Sequence, residues 1–356
     1  MSDIADTSKG IGISKDQLSA DGEPCILYGE LYTKYKSETI KEVISKTNID
    51  NTKLVKSKAN DVIIPCSGET AEEIATARCV LKDDVLLGGD LNIIRLHGYD
   101  GSFMSYQLNG KRKYDIAKVA QGVSVVHLYG EHLKNIKTIN PSLNEQKKIA
   151  NLLSLLDERI STQNKIIEDL KKLKSAISER LFKNIKGDVI TLSEICDIVK
   201  GKQINGEYLT ESGEYYVMNG GTEPSGYYGD YNVDANTISI SEGGNSCGYV
   251  QFNTSPFWSG GHCYSIQNIA DHVDNLYLYH YLKSNEEVIM RLRIGSGLPN
   301  IQKKDLTMFK IKVPTFEQQI TISTFLSSLE RKSDVEQRIL NVILKQKLYL
   351  LQQMFI

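Results

Sequence analysis

One run, PSLNEQKKIANLLSLLDERISTQNKIIEDLKKLKSAISERLF at residues 141–182, limits what this chain can fold into, because the chain carries it twice. At an offset of 173 residues Pro141 falls on Pro314, and PTFEQQITISTFLSSLERKSDVEQRILNVILKQKLYLLQQMF continues beneath it without a gap. Leu143 meets Phe316, Leu153 meets Leu326, Ile166 meets Ile339, Lys174 meets Lys347 and Phe182 meets Phe355. Repetition on this scale constrains architecture before local propensity does. Both copies open on a helix-start signal, Ser142-x-x-Glu145 and Thr315-x-x-Gln318, in which the hydroxyl accepts from the N–H three residues on and the longer side chain reaches back. In the first copy Ile149, Leu153, Leu156, Ile160, Ile167, Leu170, Ile177 and Leu181 follow heptad spacing, with Gln163 and Lys174 at the remaining seam positions. The second supplies Ile322, Leu326, Leu329, Leu340, Ile343, Leu350 and Met354, interrupted by Ser333, Glu336 and Lys347. So narrow a stripe predicts a seam against a partner helix, and each copy provides one for the other. Two unrelated amphipathic helices lying on globular cores are the plainer alternative, and the length of the stripe argues against them.

At 356 residues there is room for more than one core. Lys and Arg number 42 against 44 Asp and Glu, so no global basic field marks a nucleic-acid protein, and any such surface must be local. No apolar run spans a bilayer and no basic-then-apolar leader stands at Met1, which predicts a soluble, cytoplasmic protein without a membrane partner. Cys25, Cys66, Cys79, Cys196, Cys247 and Cys263 lie far apart with no C-x-x-C, which suits reduced thiols better than a disulfide framework or a zinc site.

The repeat extends past the helices. Residues 1–10, MSDIADTSKG, resemble residues 192–201, LSEICDIVKG, and residues 122–141 resemble 297–314, with Leu133 over Leu306. The reading is an α+β chain: two globular mixed α/β domains, 1–140 and 185–313, separated by long helices at 141–184 and 314–356 that form an antiparallel coiled coil with pseudo-two-fold symmetry. Between the repeated edges the two globular segments read differently. The first has strand-like runs DVIIPC, DVLLGG and LNIIRLH and a helix-permissive stretch near 37–45; the second has YYVMNGG, TISIS and GYVQF, then a helix over 276–293. Similar edges around unlike interiors suggest one scaffold presenting two surfaces.

Several catalytic signatures fail on inspection. Asn140-Pro141-Ser142-Leu143 resembles an amino-methyltransferase loop but lacks its second Pro and its aromatic residue, and reads as a helix entry. The glycines following Ser241 and Glu242 could cradle phosphate, yet no Gly-Lys-Ser/Thr follows, so a tight turn is the better reading. His262-Cys263 has no second pair at ligand spacing, so no metal site is expected. Basic residues instead cluster locally: Lys111, Arg112 and Lys113 after a Gly turn, Lys200 and Lys202 at the start of the second domain, and Arg291 and Arg293 before Ser296. Such groups neutralise phosphates, and Arg, Asn and Gln also pair with base edges; for any one cluster a solvated surface is the commoner explanation. Tyr227, Tyr228 and Tyr231 could stack on bases, though aromatic residues in a strand-rich domain more often form core.

Taken together, the chain resembles the specificity subunit of type I restriction-modification systems. The resemblance rests on the order of parts: a variable domain, a central helix opening Pro141, Leu143, Glu145, Gln146, a second variable domain, and a C-terminal helix opening Pro-Thr-Phe-Glu-Gln-Gln. It adds Ser67, Glu69 and Thr70 in the first domain, and Ser241, Glu242 and Asn245 in the second, as polar loops near DNA. The family implies a non-catalytic subunit in which each domain reads one half of a bipartite site in double-stranded DNA, while the helix pair sets the spacing and docks two methylation subunits. S-adenosylmethionine would belong to those subunits, and ATP with magnesium to restriction subunits that join them. One departure is that the chain starts directly at MSDIADTSKG, without the lead-in strand of many relatives, so the edge of the first domain is expected to be incomplete or completed by the C-terminal helix. The alternative from another class is a coiled-coil adaptor whose globular ends bind proteins.

Overall fold

The structure, a computed structural model, describes residues 1–122, 125–295, 297 and 299–355. Its contacts divide the chain into two compact units, Met1–Lys165 with Arg338–Ile356, and Ile166–Gln337, so each unit owns one globular domain and half of each long helix.

In chain order the first unit contributes β1 (Ala5–Lys9), β2 (Glu23–Ile26), β3 (Thr39–Ile40), β4 (Asp61–Pro65), β5 (Arg78–Val80), β6 (Leu86–Leu87), β7 (Leu91–Leu96), α1 (Gly101–Asn109), α2 (Lys113–Val119), α3 (Gly130–Lys134) and the first part of α4 (Leu143–Asn184). The main sheet runs β1-β7-β4-β5-β3. Its centre, DVIIP, is apolar at successive positions because both faces are covered. Val62 and Ile64 pack with Met104 and Leu108 of α1, while Ile63 faces the other way onto Ile26, Leu31 and Val85. The second unit contributes β8 (Asp188–Thr191), β9 (Asp197–Lys200), β10 (Tyr215–Met218), β11 (Thr237–Ser241), β12 (Val250–Asn253), β13 (Trp258–Ser259), β14 (Cys263–Gln267), α5 (Asn275–Ser284), α6 (Glu286–Met290), α7 (Lys303–Thr307), β15 (Lys310–Val313) and α8 (Phe316–Gln353), whose last part belongs to the first unit.

The interiors that read differently in sequence share one layout. Antiparallel β9-β14-β11-β12 repeats β1-β7-β4-β5, and the parallel pair β10/β13 repeats β2/β6. Backbone bonds match one for one: Gly10 N–H to Leu91 O and Gly201 N–H to Cys263 O; Gly88 N–H to Ile26 O and Gly260 N–H to Met218 O; His97 N–H to Ile4 O and Ala270 N–H to Ile195 O. Strand pairing is made by backbone groups, so side chains can diverge without disturbing it. Two local expectations change. Within residues 37–45 only Thr39 and Ile40 form a strand, β3, and the stretch leads into the strand Ser45–Thr47 rather than a helix, because Thr39 and Ile40 are drawn into a buried parallel pair with Cys79 and Val80. The helix over 276–293 is broken at Asn285 into α5 and α6. At the start of the chain the Met1 ammonium donates to Ile136 O, as Leu192 N–H donates to Phe309 O in the second unit.

The first turn of each long helix is tied to the domain before it by a buried glutamine. The expected capping box forms at Ser142 and Glu145. One residue on, Gln146 accepts from Asp100 N–H at 2.9 Å and donates to Pro141 O at 2.8 Å. Its mate Gln319 accepts from Asp274 N–H at 2.8 Å and donates to Pro314 O at 3.0 Å. Asp100 and Asp274 are themselves the N-caps of α1 and α5, accepting from Phe103 and Tyr277. All fifteen apolar seam positions are buried or half-buried. In the first unit Leu153 packs with Leu351, Phe355, Phe103 and Tyr106; in the second, Phe182 meets Tyr277 and Tyr281 edge-on, in a core that includes Leu326.

Two of the polar interruptions, Lys347 and Lys174, are ion-paired to the opposite helix. Lys347 of α8 bonds Asp157 of α4 at 2.5 Å and Glu38 at 2.6 Å, with Tyr106 and Ser37 also donating to Asp157. In the second unit the lysine comes from the other helix: Lys174 of α4 bonds Glu330 of α8 at 2.9 Å, and Tyr279 donates to Glu330. Burial raises the Asp157 carboxyl, but Lys347 and the two hydroxyls outweigh it and hold the group below its usual range, whereas burial leaves Glu38 raised. Beside Glu330, His280 bonds Ser327 at 2.9 Å and is pushed down to about 4 by burial and by Lys174.

Lys347→Met should destabilise the first unit by about 3–5 kcal/mol, since two carboxylates are left buried without their counter-ion; urea unfolding measures it. The second unit should weaken in mild acid. A folded His280 pKa below the unfolded value means the unfolded state binds the extra proton, so stability falls as pH drops from about 6.5 towards 4, by at most about 3 kcal/mol. Glu330, held low despite burial by Lys174 and Tyr279, adds a loss of the same sign below its unfolded pKa of about 4.5. A His280→Gln chain should give a flatter stability profile between pH 6.5 and 4.5 than the wild type.

Candidate nucleic-acid interface

In each unit the loops that leave one end of the main sheet converge on a rim of polar and basic groups. In the second unit β9 ends at Lys200, whose ammonium bonds Glu242 at 2.6 Å, just past the end of β11. Tyr264 of β14 donates to the same carboxylate oxygen at 3.0 Å, and both burial and that carboxylate push its phenol up. Ser241 donates to Gly220 O at 2.6 Å, which closes the turn. Gly243 bridges Asn300, and Asn300 bridges Ile294, so the loop after α6 joins the rim. Exposed Lys202, Gln203, Asn245, His262 and Arg293 surround it. Of the glycines in this turn Gly248 is the close-packed one: it has φ +93°, and a Cβ there would stand 2.8 Å from Cγ of Met290.

The first unit builds the same rim from other side chains. β1 ends at Lys9, which lies 5.6 Å over the ring of Tyr129, and Tyr129 stacks at 6.3 Å on His127. Cys66 takes the position of Glu242; burial pushes its thiol up to about 11, with Lys9 pulling it down. The strand Ser67–Gly68 pairs with Val126–His127, as Gly243 does with Asn300, and Gln121 bridges His127 as Ile294 bridges Asn300. Gly122 and Gly295 both take positive φ, +125° and +97°, at the matching turns.

The residues singled out from sequence fall into several groups. Lys200, Lys202, Ser241, Glu242, Asn245 and Arg293 belong to the rim of the second unit, with Ser241 and Glu242 buried beneath it. Arg291 is exposed at the end of α6, 3.8 Å from Glu287. Ser67 and Glu69 belong to the rim of the first unit, whereas Thr70 caps the short helix Ala71–Ile74 by accepting from Glu73 N–H. Lys111, Arg112 and Lys113 stand at the start of α2, the end away from the rim loop that follows Val119. Arg112 is half-buried and pairs with Asp115 at 3.3 Å, so it serves packing there. Ser296 lies outside the described residues. Tyr228 packs edge-on against Trp258, and Tyr231 lies 4.9 Å from Tyr215. Sequence reading passed over Lys9, His127 and Tyr129 as contacts and weighed His262 only as half of a metal pair. Lys9-Gly10 was legible as the repeat mate of Lys200-Gly201; the others needed the strand register. His262 is exposed and Cys263 buried, so that pair does not converge, and among the described residues no group of three His, Cys, Asp or Glu could hold a metal ion. No described helix is long and apolar enough to cross a membrane.

Comparison with known proteins matches this architecture. A protein of Mycoplasma pneumoniae named as a type I specificity subunit is 34% identical over 139 residues, 38% of this chain and 37% of that protein, and one of Mycoplasma genitalium is 32% identical over 43% of this chain and 40% of its own length. The matches thus span about two fifths of those two relatives. The specificity subunit of the Methanocaldococcus jannaschii type I restriction enzyme MjaVIII is 24% identical over 94% of this chain and 87% of its own length. Among solved structures, the S subunit of the M. genitalium type I restriction-modification system superposes with a TM-score of 0.73 at 21% identity, covering 100% of this chain and 94% of that one, and shares the fold. The sequence profile of the type I restriction modification DNA specificity domain matches residues 1–172 and again 184–345, and the chain belongs to that family.

Proposed function

We propose that this chain is the DNA-recognition subunit of a type I restriction-modification complex, in which each rim reads one half of a bipartite site in duplex DNA. The observation that carries the reading is one strand-end rim built twice on one scaffold with different side chains, around Lys9 and Tyr129 in one unit and Lys200 and Glu242 in the other. Lysines there contact phosphates and set position, while the polar side chains around them meet base edges. The chain supplies recognition rather than chemistry. Both long helices keep large apolar side chains exposed away from the seam, among them Leu152, Leu155, Leu173, Phe325, Val342 and Tyr349. These faces suit two methylation subunits, which would bring S-adenosylmethionine, and the assembly would take up restriction subunits with ATP and magnesium. An adaptor that binds only proteins would leave both basic rims without a use.

Lys200→Ala with Lys202→Ala should weaken binding to all sequences alike and lower the slope of log affinity against log salt by about 0.9 for each phosphate that is no longer neutralised, as measured by titration of duplex DNA at several salt concentrations. Unchanged affinity and slope would place the DNA surface elsewhere. Inserting four residues between Ser161 and Thr162 lengthens α4 by about 6 Å. The methylated sites of cells carrying that insertion should keep both half-sites and widen the unread gap by about one or two base pairs; altered half-site bases would refute the helix as spacer.

A further inference from the structure

The two rims use the same backbone wiring around one exchanged residue. Cys66 N–H donates to Asp90 O and Cys66 O accepts from Leu128 N–H; Glu242 N–H donates to His262 O and Glu242 O accepts from Ile301 N–H. A thiol therefore satisfies the scaffold at this position, and the fold does not call for a carboxylate there. Yet Glu242 is only 8% exposed. One oxygen holds Lys200 and Tyr264, while the other, Oε2, is sealed from solvent with no hydrogen-bond partner. An unpaired buried acceptor is costly. Nδ1 of His262 lies 3.9 Å from it, beyond hydrogen-bond reach, on a side chain that is 62% exposed. Next to it the backbone is bare: a Cβ on Gly244 would meet nothing within 4 Å.

The geometry points to Glu242 as a base-selecting residue of the second half-site, whose free oxygen accepts the exocyclic amino group of a cytosine, or of an adenine, in the major groove. This rests on the DNA-recognition reading above. A carboxylate only accepts hydrogen bonds, so the group it takes must donate, and in the major groove the donors on base edges are the N4 amino group of cytosine and the N6 amino group of adenine. The ring of His262 turns aside to admit the base edge, and Lys200, 53% exposed, passes from the carboxylate to a neighbouring phosphate. The first rim has a thiol in this place and makes no such selection there.

The test is enrichment from a pool of randomised duplex DNA by the full-length chain and by Glu242→Cys and Glu242→Ala, with thermal unfolding to show that the variants fold. Cys66 shows that the scaffold accepts a thiol at this place. Wild type should enrich a bipartite motif. Each variant should relax one base pair of one half-site by about tenfold or more and leave the other half-site intact. At that position, replacing cytosine by 2-pyrimidinone, or adenine by unsubstituted purine, removes only the amino group. Wild type should lose about the same factor on the deaminated duplex, and the variants nothing further; which analogue acts tells cytosine from adenine. Unchanged selectivity in folded variants, loss of all binding by a folded variant, or a wild type indifferent to both analogues overturns the assignment. A wild type that enriches no bipartite motif overturns the DNA-recognition reading itself.

Discussion

A half-buried lysine paired with an acid of the opposite helix, one in each half of the helix pair, is the constraint on which the architecture depends. Asp157 and Lys174 stand 17 residues apart on α4, as Glu330 and Lys347 do on α8, an interval that returns to the seam after two heptads and a step of three. Within the first unit Lys347 finds Asp157; within the second Lys174 finds Glu330. Sliding either helix would part these charges from their partners, at a cost far above that of a misplaced apolar residue. The pairs therefore select the antiparallel alignment from the registers that an apolar seam alone would allow. That is a gain in uniqueness, and it need not be a gain in stability.

The same economy governs the junction of helix and domain. Gln146 and Gln319 each use both ends of one amide, taking an N–H from the start of a domain helix and giving one to the carbonyl of the proline that opens the long helix. Because the amide is buried, losing either bond would strand a polar group out of water. Each globular domain is thus set on the long helix that follows it by a buried hydrogen-bonded contact rather than by a loose linker, as an element must be if it is to hold a rim in position. Beyond this frame the two domains were free to diverge. Backbone pairing carries the sheet, both faces are covered by apolar residues, and the rim side chains bear no structural duty that their counterparts share.

That separation explains what could be read from the residues and what could not. Pro141 over Pro314, the heptad stripes, the capping box at Ser142 and the order of variable and repeated parts were all legible, because a long helix writes its period into local sequence. So was the match of Leu133 with Leu306, both fully buried. The equivalence of Cys66 and Glu242 was not, nor that of the DVIIP and TISIS strands. Strand partners are distant in sequence, and a ladder of backbone bonds leaves almost no trace in side-chain identity. The cluster at Lys111 looked as basic as Lys200-Gly201-Lys202, yet one stands at the start of α2 and the other on the rim, a distinction that depends on the path of the chain.

The sequence by itself therefore determined that this is a duplicated chain of two mixed α/β domains and two long seam-forming helices, since periodicity and repetition are local properties of the residues. Only the tertiary structure decided that the interiors are copies of one sheet, that Lys174 and Lys347 are half-buried partners of acids rather than solvated interruptions, and that Lys9 and Tyr129 in one unit, and Glu242 and His262 in the other, stand at the sheet ends from which DNA would be read. Each of these depends on which distant segments meet, and that is settled by the burial of apolar faces and the pairing of backbone groups across the whole fold.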